Sequence, residues 1–158
     1  MKRYLYLIVG CLWAFNTFAA TNVRVIDGDS LEMGDTRIRL EGIDAPEYYQ
    51  DCRYSNLKKY PCGLEAKAHL QSLVDMGKVR CIEKDVDRYG RKLCSCYVTN
   101  KINETTHINE EMVRSGWAVV YKNKFSDYTA AEEEAKREKR GIWQGKFMKP
   151  QLFRILNK

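Results

Sequence analysis

Two short stretches concentrate side chains able to do chemistry. "VIDGDS" sets Asp27 and Asp29 on either side of a glycine. Further on, "RIRLEGIDAPE" places Arg39, Asp44 and Glu47 along and just past an apolar alternation of Ile38, Leu40 and Ile43. A third stretch, "DRYGR", adds Tyr89 and Arg91. Two aspartates, a free backbone carbonyl and waters form a hard, oxygen-only site of the kind Ca²⁺ takes, with positions left for a phosphate oxygen. Guanidinium forks suit phosphate because they donate parallel, charge-assisted hydrogen bonds. A glutamate one turn beyond Asp44 stands near enough to touch a water on the metal. The chemistry these types suggest is metal-assisted attack of water on a phosphate ester.

Each piece alone has a plainer explanation. Asp-Gly is a hairpin turn, Pro46 can simply end a strand, and Arg39 can pair with Glu41 or Glu32. Arg91 can close a solvated turn at Gly90. An EF-hand is excluded, since that loop needs an acid or Asn at Leu31 and a glycine at Glu32. The weight lies in the joint presence of the pieces, in this order, on one strand plan.

That plan follows from periodicity. "NVRVID", "SLEM" and "TRIRLEGI" alternate as three short strands separated by Asp27-Gly28-Asp29 and "MGDT". "GLEAKAHLQSLVDMG" reads as a helix with Ala66, Leu70, Leu73 and Val74 on one face and Gly77 after it. "KVRCIEK" and "KLCSCYVT" are two more strands flanking "DVDRYGR". "INEEMVRSG" is a short helix closed by Gly116, with Asn109 as its cap, and "WAVVY" is an apolar extended run. "YTAAEEEAKREKRGIW" is a charged helix that docks through Ile142 and Trp143. The expected fold class is therefore α+β, a five-stranded OB-fold-type β-barrel with three α-helices packed outside. Residues 144–158 form a basic, amphipathic tail expected to lie across the domain.

The chain has 158 residues and a formal net charge of +6. Residues 1–20 have the layout of a secretory signal peptide: Lys2 and Arg3, an apolar run, then Thr17 to Ala20. Lys2 and Arg3 leave with it, taking +6 to +4, a balance compatible with nucleic acid but not proof of it. Residues 21–158 then form one domain, exported to the periplasm or secreted. Lipoprotein anchoring at Cys11 is a minor alternative, disfavoured by the apolar "LWAF" that would follow the lipid. No later run is long enough to span a bilayer.

Export makes disulfides the default reading of Cys52, Cys62, Cys81, Cys94 and Cys96. A Cys52–Cys62 bridge would fix a Tyr- and Lys-rich loop, and Cys81 is expected to pair with Cys94 or Cys96, leaving one thiol. Zinc is the alternative, but Cys94-Ser95-Cys96 lacks the usual ligand spacing. His69 and His107 have no nucleophile beside them and read as structural. Trp117 and Trp143 read as core, and Glu132 to Arg140 as a solvated face with i,i+4 pairs.

"VIDGDS", "IRLEGIDAPE", "DRYGRKLCSCYV", "EEMVRSGWAVVY" and "EEEAKREKRGIW" occur in the order seen in the staphylococcal (micrococcal) nuclease family, which the chain resembles over residues 21 to about 143. The resemblance implies a Ca²⁺-dependent enzyme cutting DNA and RNA. Carried over by match, Asp29, Asp44 and the carbonyl of Ala45 would hold Ca²⁺. Glu47 would activate water, and Arg39 and Arg91 would bind phosphate. Tyr89 and Tyr121 would lie against the nucleotide, and Asp27 near the metal would play a supporting part. The products would carry 3′-phosphates. Ala45 and Ser30 replace threonines of the family pattern, and the loop at 48–62 is rebuilt around two cysteines and four tyrosines. A monomer with no obligate protein partner is expected. The rival readings are a catalytically silent OB-fold nucleic-acid-binding module and a disulfide-braced interaction domain.

Overall fold

In a computed structural model of the protein, residues 22–121 and 125–157 are described. The segment expected to be a signal peptide lies outside the described residues. The alternating stretches form strands β1 (Val23–Asp27), β2 (Ser30–Met33) and β3 (Thr36–Leu40). After β4 (Ile43–Asp44), β5 (Cys52–Tyr54) and β6 (Lys59–Tyr60) comes helix α1 (Cys62–Val74). Strands β7 (Gly77–Val86) and β8 (Lys92–Asn100) form the long hairpin, followed by β9 (Thr105–His107), α2 (Ile108–Arg114) and β10 (Val119–Val120). Helix α3 (Thr129–Arg137), β11 (Gly145–Lys146) and α4 (Pro150–Leu156) complete the order.

The five long strands pair in the order β1-β2-β3-β8-β7, antiparallel except for the parallel β3–β8 pair. They make the curled half-barrel of an OB-type fold. Period-2 alternation sends Val25, Leu31, Ile38, Leu40, Val79, Cys94, Cys96 and Val98 inward. They meet Ala66, Leu70, Leu73 and Val74 of α1 and Met112 and Val113 of α2. Among the described residues four α-helices are present rather than the expected three; the fourth, α4, comes from the basic tail.

The structure sharpens two of the sequence expectations and overturns one, each for a physical reason. Gly77 follows α1 as expected and also opens β7, where a Cβ would meet the Thr99 carbonyl oxygen at 2.0 Å across the hairpin. Asn109 does not cap α2, whose N-cap is His107. Fully buried, Asn109 donates to the carbonyls of Glu41 and Cys94, both at 2.9 Å, and accepts from the Cys96 amide at 2.9 Å. It ties the chain just after β3 to the centre of β8. The disulfides are Cys52–Cys62 and Cys81–Cys96, leaving Cys94 as a buried thiol. Register decides the second bridge, since Cys81 faces Cys96 directly across β7–β8 while Cys94 faces Glu83.

A smaller cluster of Cys52, Tyr60, Cys62, Val119 and Ile142 lies beside the main core, flanked by Tyr54, Trp143 and Phe147. Here β11 joins β5 and β6 in a three-stranded sheet. The tail is thereby stitched to the loop that follows Glu47. His69 and His107 behave as structural residues: burial pushes both below the usual histidine value, and His107 stacks on Tyr97 at 4.5 Å.

Candidate active site

The floor is set by strand register. Arg39 lies opposite Ser30 across β2–β3, which brings its guanidinium to the turn just before Ser30. The turn sits tight on its neighbours because Gly28 has no side chain; a Cβ would meet those of Ala45 and Ala66 at 2.7 and 2.9 Å. Gly42, at φ +79°, reverses the chain after β3. This conformation is open to glycine at little cost. Asp44 then lies in β4, fixed by pairing with Val119 of β10.

Arg39 bridges the two aspartates, with Nη1 at 2.7 Å from Asp29 Oδ1 and Nη2 at 2.8 Å from Asp44 Oδ1. Asp29 also accepts from the Ser30 hydroxyl at 2.9 Å and the Ala45 amide at 3.0 Å. Burial works against the Arg39 charge, but the charges of Asp29 and Asp44 outweigh it and raise its pKa. Beside them, burial and the Asp29 charge push the Asp27 carboxyl up to about 6. Asp29, Asp44 and Ala45 are all at most 3% exposed.

One open cleft of about 860 Å³ gathers most of the expected site: Asp27, Arg39, Glu47, Tyr89, Arg91 and Tyr121 line it. Arg91 is oriented within its own loop, its Nε at 2.8 Å from Asp87 Oδ2. Burial would raise the Asp87 carboxyl, yet hydrogen bonds from the Arg91 amide and side chain and the Tyr89 amide hold it below the usual range. Tyr89 is 69% exposed, with the Arg88 and Arg91 guanidiniums over its ring at 4.9 and 5.7 Å. Asp44 faces a second cleft of about 570 Å³, which shares Tyr121 with the first. The structure thus places Asp29, Arg39, Asp44 and Ala45 in direct contact. Arg91, Tyr89 and Tyr121 stand as walls.

Among the described residues, no three His, Cys, Asp or Glu side chains converge as a ready-made metal cage. The donors that do meet are carboxylate oxygens, few in number and already drawing cationic side chains. That suits a hard dication that keeps open positions.

Comparison with known proteins supplies the family. The model of the family described as staphylococcal nuclease homologue matches residues 37–145. The chain belongs to that family. Its sequence is 34% identical over 142 residues to a micrococcal nuclease of Shigella flexneri, covering 82% of this chain and 76% of the relative. It is 37% identical over 127 residues to an uncharacterized endonuclease of Escherichia coli O157:H7, covering 77% and 74%. A succinoglycan biosynthesis protein, ExoI, of Rhizobium meliloti is 32% identical over 125 residues, 76% of this chain but only 62% of that protein's length. Nuclease-family membership makes the cleft the place to look for phosphodiester cleavage.

One site residue escaped the sequence reading. Arg154 of α4 sets Nη1 at 2.7 Å from Glu47 Oε1 and 2.9 Å from Asp44 Oδ1, with Nη2 at 3.1 Å from Asp44 Oδ2. The only available signal was the basic, amphipathic character of the tail, which gives no hint of a partner 110 residues away.

Proposed function

We propose that the protein is an exported Ca²⁺-dependent nuclease that hydrolyses phosphodiester bonds of DNA and RNA. The observation that carries the reading is the Arg39 bridge between two buried aspartates, opening on a cleft that also holds Glu47, Arg91 and an exposed Tyr89. Asp29 and Asp44, with the Ala45 carbonyl, would hold Ca²⁺, which would offset phosphate charge and acidify a bound water. Arg39 and Arg91 hold the non-bridging phosphate oxygens and neutralise charge that grows as water attacks. Glu47 takes the proton of the attacking water, a contribution on the order of 10²–10⁴ in rate. The new bond joins the water oxygen to phosphorus, and the bond to the 5′-oxygen breaks. That oxygen leaves with a proton from solvent, and the 3′-phosphate stays on the other fragment. Tyr89 and Tyr121 lie against the nucleotide.

Export is supported by the leader-like first twenty residues and by two disulfides, which persist in oxidising compartments. No helix of the described residues is long and apolar enough to cross a membrane.

The test is cleavage of single-stranded DNA and RNA with Ca²⁺, with Mg²⁺ and with chelator, for the protein and for Glu47→Gln. Ca²⁺-dependent cutting, reduced by about 10³ in the variant and leaving 3′-phosphate ends, is expected. Tight binding with no cleavage under any condition would favour a silent binding module instead.

A further inference from the structure

The two carboxylates that the reaction most needs free are the two that Arg154 holds. Its guanidinium lies on Asp44 Oδ1 and Oδ2 and on Glu47 Oε1, all within 3.1 Å. An arginine there blocks metal approach to Asp44, which is 1% exposed. It also engages Oε1 of Glu47, one of the two oxygens of the carboxylate that would take a proton from water. Among the described residues, the ion pairs of Asp29, Asp44 and Glu47 are made to Arg39 and Arg154, with the Asp27 carboxyl beside Asp29. A dication on Asp44 would need the oxygens that Arg154 now holds, and would stand against its guanidinium. Like charges this close disfavour one another, so the two occupants compete.

The segment bearing Arg154 is attached in a way that allows the exchange. Pro150 alone of α4 is buried, and Leu152, Ile155 and Leu156 are 47%, 58% and 62% exposed. Its anchors sit at one end: β11 pairs with β5, and the Gln50 side chain donates to the Met148 carbonyl at 2.7 Å. Beyond them the helix touches the body through a Tyr49–Phe153 ring contact at 5.5 Å and through Arg154 itself. Gln151 lines both clefts and Ile155 the larger one, so α4 lies along the route by which ion and substrate reach Asp44. Few buried contacts with firm attachment at one end describe a segment of low local stability.

We propose that α4 is a self-inhibitory strap: Arg154 is the resting counter-ion of Asp44 and Glu47, and a divalent cation must displace it before the site is competent. This rests on the Ca²⁺ site proposed above and adds its regulation. The metal-free protein is closed by its own tail, and Ca²⁺ both fills the site and frees Glu47.

Ca²⁺ titration by calorimetry tests this without measuring activity, on the protein, on Arg154→Ala and on Lys149→Ala. Lys149→Ala removes a charge of the same sign from the same segment. The expected result is a Ca²⁺ Kd about tenfold lower in Arg154→Ala, within the range usual for coupled sites. Lys149→Ala should change it by less than about twofold, as expected for a screened, exposed charge. In the unsubstituted protein, Ca²⁺ should speed amide exchange across 151–157. Unchanged or weaker binding in Arg154→Ala, an equal gain in Lys149→Ala, or slower exchange would overturn the strap while leaving the Ca²⁺ site standing. No Ca²⁺ binding by any of the three proteins would remove the metal site, and the strap with it.

Discussion

Arg39 and Arg154 both reach Oδ1 of Asp44, at 2.8 and 2.9 Å, from regions built in different ways. Arg39 rises from the middle of β3, pinned by pairing with β2 on one side and β8 on the other. Its side chain is 15% exposed and it spans two aspartates. Arg154 sits on two helical turns with one buried residue, and its side chain is 34% exposed. The contacts are alike in chemistry and length, yet the first belongs to the core and the second to a lightly attached tail. Contact distance alone does not tell a structural ion pair from an exchangeable one. What the partner is mounted on does.

The largest effect is expected at Arg39. Arg39→Ala strips buried Asp29 of its counter-ion and leaves buried Asp44 with Arg154 alone, so unfolding stability should fall by about 3–5 kcal/mol and cleavage by about 10³. Chemical denaturation and initial rates measure the two losses. Part of the stability should return with Ca²⁺, the other cation the aspartates accept. Arg154→Ala, by contrast, should move stability by about 1 kcal/mol or less. Similar losses for the two variants would break the distinction between floor and strap. Arg91→Ala should separate the two readouts, with turnover down by about 10²–10³ and stability nearly unchanged. Among the described residues its guanidinium pairs with Asp87, within the loop that carries it.

The smallest effect compares one tyrosine from each region. Burial pushes Tyr128, in the main core, and Tyr60, in the cluster beside the tail, each up to about 12. A folded-state value above the unfolded one near 10 means that stability is whole below pH 10 and lost as pH rises through 10 towards 12. Tyr128→Phe and Tyr60→Phe should each remove about 1 kcal/mol of that loss at pH 11, seen as a flatter alkaline limb in thermal unfolding. If only Tyr128→Phe flattens it, the cluster beside the tail is wetter than the main core.

The same division marks what could be read in the sequence. Alternation in "TRIRL" and "KLCSCYV" gave the barrel strands, because one face of each is buried and period 2 records it. The floor followed, since Asp29, Arg39, Asp44 and Glu47 lie close together along the chain. Strands β4, β5, β6, β10 and β11 have two or three residues each, too few to show a period. Their pairing, which aims Asp44 and anchors the tail, stayed hidden. Asn109 looked like a helix cap because its polar type suits one, and only the three-dimensional register shows the backbone groups it satisfies. Alternation put Cys94 and Cys96 on one face and left the choice between them to register. Arg154 was hidden for a different reason: no local pattern marks a side chain whose partners come from the other end of the chain.

The central claim is that Asp44 is the carboxylate on which metal, floor and strap converge. Thermal unfolding of the protein and of Asp44→Asn, each across a Ca²⁺ titration, tests it most directly. A rise in Tm with Ca²⁺ that saturates in the protein and vanishes in Asp44→Asn is the predicted result. An equal Ca²⁺-induced rise in both would place the metal elsewhere and contradict the account.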